Sequence, residues 1–305
     1  MSSTSTVQLW FCPLTSLDGD TNKVAFLRSR LSDDERIKVD RYRFPKARLK
    51  ALYVRNYLRV ILTRYATTEV GINIAPDQWR FQYESKGKPY LCNEQHGLTG
   101  IEFNISHSGE YLLVALVASD PSKRALTGSA AFQLGVDIEK SRAETDIGSI
   151  HHHYFSTLES SRLLTLDEAD QREHFFDLWA LKESYIKAVG KGLAIPLDSF
   201  GFDMSRAYDS QTPLNCQEEL DVKLKTQAPT KEVTVIQGVT LERQVSDQGK
   251  NLQGSVVWFS YLGRLDEEYR FAVTLGISLL VNGAETTPRV EIRANWLCSS
   301  QLIQP

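Results

Sequence analysis

The sequence has no run of about 18 apolar residues, so no stretch reads as a membrane-spanning helix. Met1 to Thr6 is polar and lacks the basic and apolar segments of a secretory signal. The four cysteines, Cys12, Cys92, Cys216 and Cys298, stand far apart with no C-x-x-C spacing. That spacing suggests neither a disulfide framework nor a zinc site and leaves reduced, mostly buried thiols. A surplus of positive charge is also missing: the formal net charge of -3 argues against a general nucleic-acid or anionic-membrane binder. No Walker loop, Rossmann glycine pattern or nucleophile elbow is present. What is there is an ordinary globular composition, 42% hydrophobic and 24% charged, in a chain long enough for two domains. The expectation is a soluble cytoplasmic protein.

Along the chain, Val7 to Cys12 alternates as an opening strand. Ser32 and Glu35 have capping-box spacing at the start of a short basic helix holding Arg36, Lys38, Arg41 and Arg43. Pro45 ends it, and the spacing of Leu49, Leu52, Tyr53, Leu58, Ile61 and Leu62 predicts a second basic helix from Lys46 to Arg64. A strand at Trp79 to Tyr83, a turn at Ser85 to Pro89 and a hairpin joined through Ser106 to Glu110 follow. After a polar loop at Ser119 to Ser129, Phe132 to Glu139 reads as a strand. Ser156 and Glu159 form a second capping box, and Phe175 to Val189 a long helix. Gln211 to Gly254 is polar with weak β signals and is expected to be the least packed region. Ser255 to Leu262 and Tyr269 to Leu279 read as a hairpin, and Val290 to Pro305 as an added edge strand. Basic or mixed helix, Gly-Lys turn and paired strands thus occur twice, which suggests an internal duplication: an α+β protein of two similar lobes with a cleft between them.

The chemistry centres on Gly135-Val136-Asp137-Ile138-Glu139-Lys140. Strand alternation puts Asp137 and Glu139 on one face and Val136 and Ile138 on the other, and a buried acidic pair is costly without a cation. On the later helix, Trp179, Glu183 and Lys187 recur at i, i+4 and i+8. Three carboxylates with no His or Cys at ligand spacing suit magnesium rather than zinc, whereas an ion-paired strand is the ordinary alternative. Lys187 is either the structural partner of Glu183 or a phosphate contact, with Gly190 and Gly192 allowing close backbone approach. Trp179 fits the core better than the site. His107, in a turn between Ser106 and Ser108, is placed to donate to an anion. The run His151-His152-His153 reads as local structure, since consecutive residues cannot all face one ion.

Asn104-Ile105-Ser106-His107-Ser108, the Gly135 to Lys140 stretch and Trp179 to Lys187, in that order, resemble the signature motifs of the 4′-phosphopantetheinyl transferases. The single-chain type serving nonribosomal peptide and polyketide synthases is the most similar, and the Gly87-Lys88-Pro89 turn and the Gly190-Lys191-Gly192-Leu193 ending agree with it. The resemblance covers roughly residues 30 to 205. It implies a pseudo-twofold pair of lobes, each an antiparallel sheet packed with a long helix, here drawn as residues 1–125 and 126–305.

Coenzyme A would lie between the lobes as co-substrate, and its phosphopantetheine arm would pass to a serine of an apo acyl or peptidyl carrier protein, releasing adenosine 3′,5′-bisphosphate. By matching motifs, Asp137, Glu139 and Glu183 would hold magnesium, with manganese as a substitute. Glu183 would be the general base, Lys187 would contact the reacting phosphate, and His107 with Ser106 would touch the diphosphate and 3′-phosphate. Lys88, Arg48 and Lys50 would meet the nucleotide phosphates, with Lys46 or Arg36 as substitutes. A monomer with no nucleic-acid or membrane partner is expected. Two alternatives are a carrier-binding module with a decayed site and a transferase restricted to the acyl carrier protein of fatty-acid synthesis. The duplicated length argues against the second, and the intact acidic residues against the first. Gln211 to Lys250 is longer than the family pattern.

Overall fold

The computed structural model describes residues 4–119, 132–205, 211–215, 217–218, 232–243, 256–278 and 288–302. Strand β1 (Thr4–Pro13) opens the chain, and α1 (Thr21–Ser29), capped by the Asp20 side chain, is an element the apolar periodicity does not announce. Helix α2 (Asp33–Asp40) starts at the expected Ser32 and Glu35 capping box. Helix α3 (Pro45–Tyr65) has Pro45 in its first turn and buries Leu52, Tyr53, Leu58, Ile61 and Leu62 as their spacing predicts. A small hairpin of β2 (Phe81–Tyr83) and β3 (Pro89–Leu91), helix α4 (Asn93–Thr99), and strands β4 (Ile101–Ser108) and β5 (Tyr111–Ala118) complete the first half.

The second half opens with β6 (Phe132–Lys140), α5 (Ile147–Tyr154) and α6 (Thr157–Leu163), the last on the Ser156 and Glu159 capping box. Helix α7 (Glu168–Val189) begins before the expected Phe175 because Asp167 caps it. Strands β7 (Phe200–Asp203), β8 (Gln211–Asn215), β9 (Gln217–Glu218), β10 (Glu232–Arg243), β11 (Val256–Arg264), β12 (Tyr269–Ser278) and β13 (Arg289–Trp296) follow. The rest of the polar 211–254 segment, Cys216, and the polar loop beyond Ser119 lie outside the described residues.

Two large sheets form, in the orders β4-β5-β1-β13-β9 and β6-β12-β11-β10-β7, with β8 also pairing with β10. The second is antiparallel along this path, whereas the first is mixed, because β13 lies parallel to both β1 and β9. The expected edge strand is therefore a parallel neighbour of the chain's first strand, and among the described residues its far side pairs with the two residues of β9. The two halves correspond element by element: β1, β5 and β4 match β6, β12 and β11, each set with a long helix against it.

Alternation distributes these strands among three cores. Leu112, Val114 and Leu116 of β5 face α3, while Leu113, Ala115 and Val117 meet Leu134, Val136 and Ile138 of β6 between the sheets. Phe200, Phe202, Leu262 and Ala272 pack under α7. The likeness extends to two buried ion pairs. Glu35 of the first capping box pairs with Arg59 on α3, and Glu159 of the second pairs with Lys182 on α7 at 2.8 Å.

Candidate active site

The site forms where β4 of one lobe lies along the free edge of β6 in the other. That edge has no neighbouring strand among the described residues, so its backbone groups need other partners. Side chains from the first lobe provide them. The Val136 N–H donates to Asn104 Oδ1 at 2.9 Å, the Lys140 N–H donates to Ser108 Oγ at 3.2 Å, and Lys88 Nζ donates to the Leu134 carbonyl at 3.1 Å. Period-2 spacing thus aims Asn104, Ser106 and Ser108 at the acidic strand, while His107 turns outward and is exposed. On the other side of β6, α7 comes into direct contact at Gly135. A Cβ there would lie 2.0 Å from the Ser184 carbonyl oxygen and 2.2 Å from the Ala188 nitrogen.

This contact brings Glu183 and Lys187 to the acidic pair. Asp137 is 2% exposed. Its Oδ1 accepts from Ser106 Oγ at 2.7 Å and from Lys187 Nζ at 2.5 Å, while Lys187 also donates to Ser106 Oγ at 3.0 Å. Its Oδ2 is buried with no hydrogen-bond partner among the described residues. Ser108 Oγ donates to Glu139 at 3.0 Å. Burial, and next the Asp137 carboxylate, push Glu139 up to about 7, against the Ser108 hydrogen bond and the Lys187 and Arg142 charges. Glu183 is raised by burial and then by Asp137, with Lys187 opposing.

All three carboxyl groups therefore share one electrostatic environment. They are not drawn into a closed ligand set: no three His, Cys, Asp or Glu side chains among the described residues are gathered closely enough to hold an ion. At Asp137 the cation present is Lys187, so the i, i+4 pairing of Lys187 with Glu183 gives way to an ion pair across the strand.

Two grooves meet at His107. The larger, about 910 Å³, is lined by Lys86 to Pro89, Ser106, His107, Glu183 and Lys187, and by Gly190 and Gly192 at the end of α7. The smaller, about 520 Å³, is lined by Lys50, His107, Glu139, Lys140 and Arg142 over Phe175, Phe176 and Trp179. The His107 imidazolium is disfavoured by partial desolvation, then by the Lys50 and Lys187 ammoniums. Lys50 donates to the Gly109 carbonyl at 2.6 Å, and desolvation lowers its pKa. Lys88, besides Leu134, donates to the Lys187 carbonyl at 2.7 Å, tying the first lobe's turn to the end of α7. Arg48 is exposed, donates to the Tyr42 carbonyl at 3.1 Å, and lines neither groove. Trp179, expected in the core, is half-buried: it stacks on Phe175 and forms part of the smaller groove. In the histidine run, His151 is buried while His152 and His153 are exposed on α5.

Sequence reasoning missed Asn104 and Lys182. Asn104 shares the period-2 spacing of Ser106 and Ser108, a signal that was available. Lys182, 1% exposed, donates to the Leu197 and Phe200 carbonyls, both at 2.7 Å, and fixes α7 from its inner face.

Residues 133–234 match the family described as the 4′-phosphopantetheinyl transferase superfamily, and residues 19–120 match the 4′-phosphopantetheinyl transferase N-terminal family. The chain is 32% identical over 188 residues to the 4′-phosphopantetheinyl transferase HetI of Nostoc sp., covering 62% of this chain and 70% of that protein. It is 33% identical over 187 residues to the 4′-phosphopantetheinyl transferase gsp of Aneurinibacillus migulanus, covering 61% of this chain and 68% of that one. Over a shorter 121-residue stretch it is 39% identical to the 4′-phosphopantetheinyl transferase Sfp of Bacillus subtilis, covering 40% and 46%. With its acidic strand, its Glu183 and Lys187 helix and its two lobes, the chain belongs to the 4′-phosphopantetheinyl transferase family.

Proposed function

We propose that Asp137, Glu139 and Glu183 hold a magnesium ion, with manganese as a substitute, and that Glu183, Lys187 and His107 carry out the family's reaction in this chain. That reaction moves the 4′-phosphopantetheine group of coenzyme A to a serine of a carrier protein. The observation that carries the reading is the buried, unpartnered Oδ2 of Asp137 beside two carboxyl groups whose proton affinity is raised by burial and then by Asp137. Such a set favours a hard cation, and its oxygen donors suit magnesium. Once bound, the ion would neutralise charge on the coenzyme's diphosphate.

The chain's own groups do the rest. The carrier serine Oγ bonds to the phosphorus of the pantetheine phosphate, the bond from that phosphorus to the bridging oxygen breaks, and adenosine 3′,5′-bisphosphate leaves with the electron pair. Glu183 takes the hydroxyl proton, a role that suits a carboxylate with raised proton affinity. Lys187, already within reach of Ser106 and Asp137, meets the reacting phosphate, and positioning with charge neutralisation is most of what phosphoryl transfer requires. His107 and Ser106 meet the diphosphate and 3′-phosphate. Lys50 and Lys88, which line the grooves, serve the nucleotide phosphates, whereas Arg48, outside both, is given no contact; the two carbonyl contacts of Lys88 leave one N–H for this.

No helix among the described residues is long and apolar enough to cross a membrane. The proposal is of a cytoplasmic monomer acting on acyl or peptidyl carriers, without nucleic-acid or membrane partners. A decayed binding module is not favoured, since Asp137, Glu139, Glu183 and Lys187 are all present. Incubated with coenzyme A and magnesium, the purified protein is expected to add about 340 Da to an apo carrier, the mass of the covalently transferred group. Absence of the adduct on every one of several acyl and peptidyl carriers would overturn the proposal.

A further inference from the structure

Strand β4 ends on His107 and Ser108 at the site, and the two residues that then join it to β5, Gly109 and Glu110, are exposed; so short and exposed a connection is not held in place unaided. Two ties come from its own lobe: Lys50 Nζ donates to the Gly109 carbonyl at 2.6 Å, and the Leu14 N–H donates to the Glu110 carbonyl at 2.7 Å. A third comes from the other lobe, where the Glu110 N–H donates to Tyr269 Oη at 2.9 Å.

Tyr269 is well placed to hold that point. It lies on β12 opposite Lys140, it is 1% exposed, and its ring meets that of Tyr111 edge-on with centroids 4.9 Å apart. Packing fixes the ring, and the ring aims the hydroxyl. Gly109 completes the fit: its φ is +50°, and a Cβ there would lie 2.2 Å from Tyr269 Oη. Lys140, opposite Tyr269 in the ladder, is also the residue whose N–H binds Ser108 Oγ, and Ser108 Oγ donates to its neighbour Glu139, so all three ties across the lobes fall on one strand pair.

We propose that Tyr269 is a positioning residue for the transfer reaction: its hydroxyl holds the 108–110 turn against the second lobe and so sets where His107 meets the coenzyme. The inference rests on the placement of His107 at the coenzyme proposed above. Glu110 is exposed, so water can replace the lost acceptor; the fold survives removal of the hydroxyl while the turn relaxes.

Tyr269→Phe keeps the ring and removes only the oxygen. The KM for coenzyme A is expected to rise about fivefold, with kcat changed less than about twofold and the melting temperature nearly unaltered. In a His107→Ala background the same substitution is expected to change KM no further, because the side chain through which it acts is gone. An unchanged KM in Tyr269→Phe, or the full effect persisting beside His107→Ala, overturns the proposal. If His107→Ala alone leaves KM unaltered, the coenzyme placement of His107 is what fails. The turn is then tested directly by NMR: the His107 imidazole and Gly109 amide resonances shift in Tyr269→Phe if the hydroxyl positions the turn, and their staying in place overturns it.

Discussion

Gly135→Ala tests whether the site depends on how closely α7 approaches β6. The added Cβ would fall 2.0 Å from the Ser184 carbonyl oxygen, 2.2 Å from the Ala188 nitrogen and 2.8 Å from the Ala188 Cα. All three atoms are helix backbone, so no side-chain rotation can relieve the overlap. Ordinary contact begins at 3.4 Å, which requires the helix to retreat by roughly 1.4 Å. Overpacking of this kind costs about 1–3 kcal/mol, which urea unfolding would register. The larger effect is on activity. Ser184 and Ala188 flank Lys187, whose 2.5 Å contact with Asp137 and 3.0 Å contact with Ser106 do not survive such a retreat. A displacement of about 1 Å in a catalytic group can lower turnover about 100-fold. Transfer to an apo carrier, followed by mass spectrometry over time, measures it. A Gly135→Ala protein with native stability and native turnover would refute the argument that this contact places Glu183 and Lys187.

Asp137→Ala is expected to abolish transfer with the fold retained, because the half-buried Lys187 can turn to water; magnesium should raise the melting temperature of the native protein and not of the variant, and equal protection of both would remove the metal assignment. Glu139 has a folded pKa pushed up to about 7 from 4.5 by burial and by Asp137, so between those values the folded state holds a proton that the unfolded chain has released. In metal-free buffer stability is therefore expected to fall as pH rises through that window, Glu183 contributing in the same direction; Glu139→Gln should flatten the profile, and superimposable curves would contradict it. Lys182→Met leaves the Glu159 carboxylate, itself 2% exposed, without its cation and is expected to cost about 3–5 kcal/mol in urea unfolding, partly restored by adding Glu159→Gln. A loss near zero would show that the hydrogen bonds from Ser156 and Phe202 suffice for Glu159.

Local pattern was a good guide where one face of an element meets one core. The apolar spacing of α3 predicts the side that is buried, the alternation of β6 predicts the face that enters the core between the sheets, and both capping boxes stand where Ser-x-x-Glu spacing puts them. Helix α1 escaped because it buries only Leu27 and so carries little periodic signal. The parallel pairing of β13 with β1 escaped for another reason: it joins the two ends of the chain, and no turn chemistry links them. Within the site, Asp137, Glu139, Glu183 and Lys187 were legible as residues on defined faces, but helix spacing offered Lys187 only Glu183 as a partner within the chain, whereas it reaches Asp137, 50 positions away.

The sequence by itself determined the faces: which carboxylates share a side of a strand, which helix residues stack one turn apart, and that the order of elements repeats. Those follow from the fixed geometry of strand and helix, which act over a few residues. Only the tertiary structure decided which faces meet. Asn104 and Ser108 complete an edge of β6 from 32 residues away, Lys88 ties to the end of α7 across 99, and Tyr269 accepts from the Glu110 N–H across 159. Such meetings depend on how two sheets dock over a shared core, a packing of many side chains at once that leaves no periodic trace in the chain.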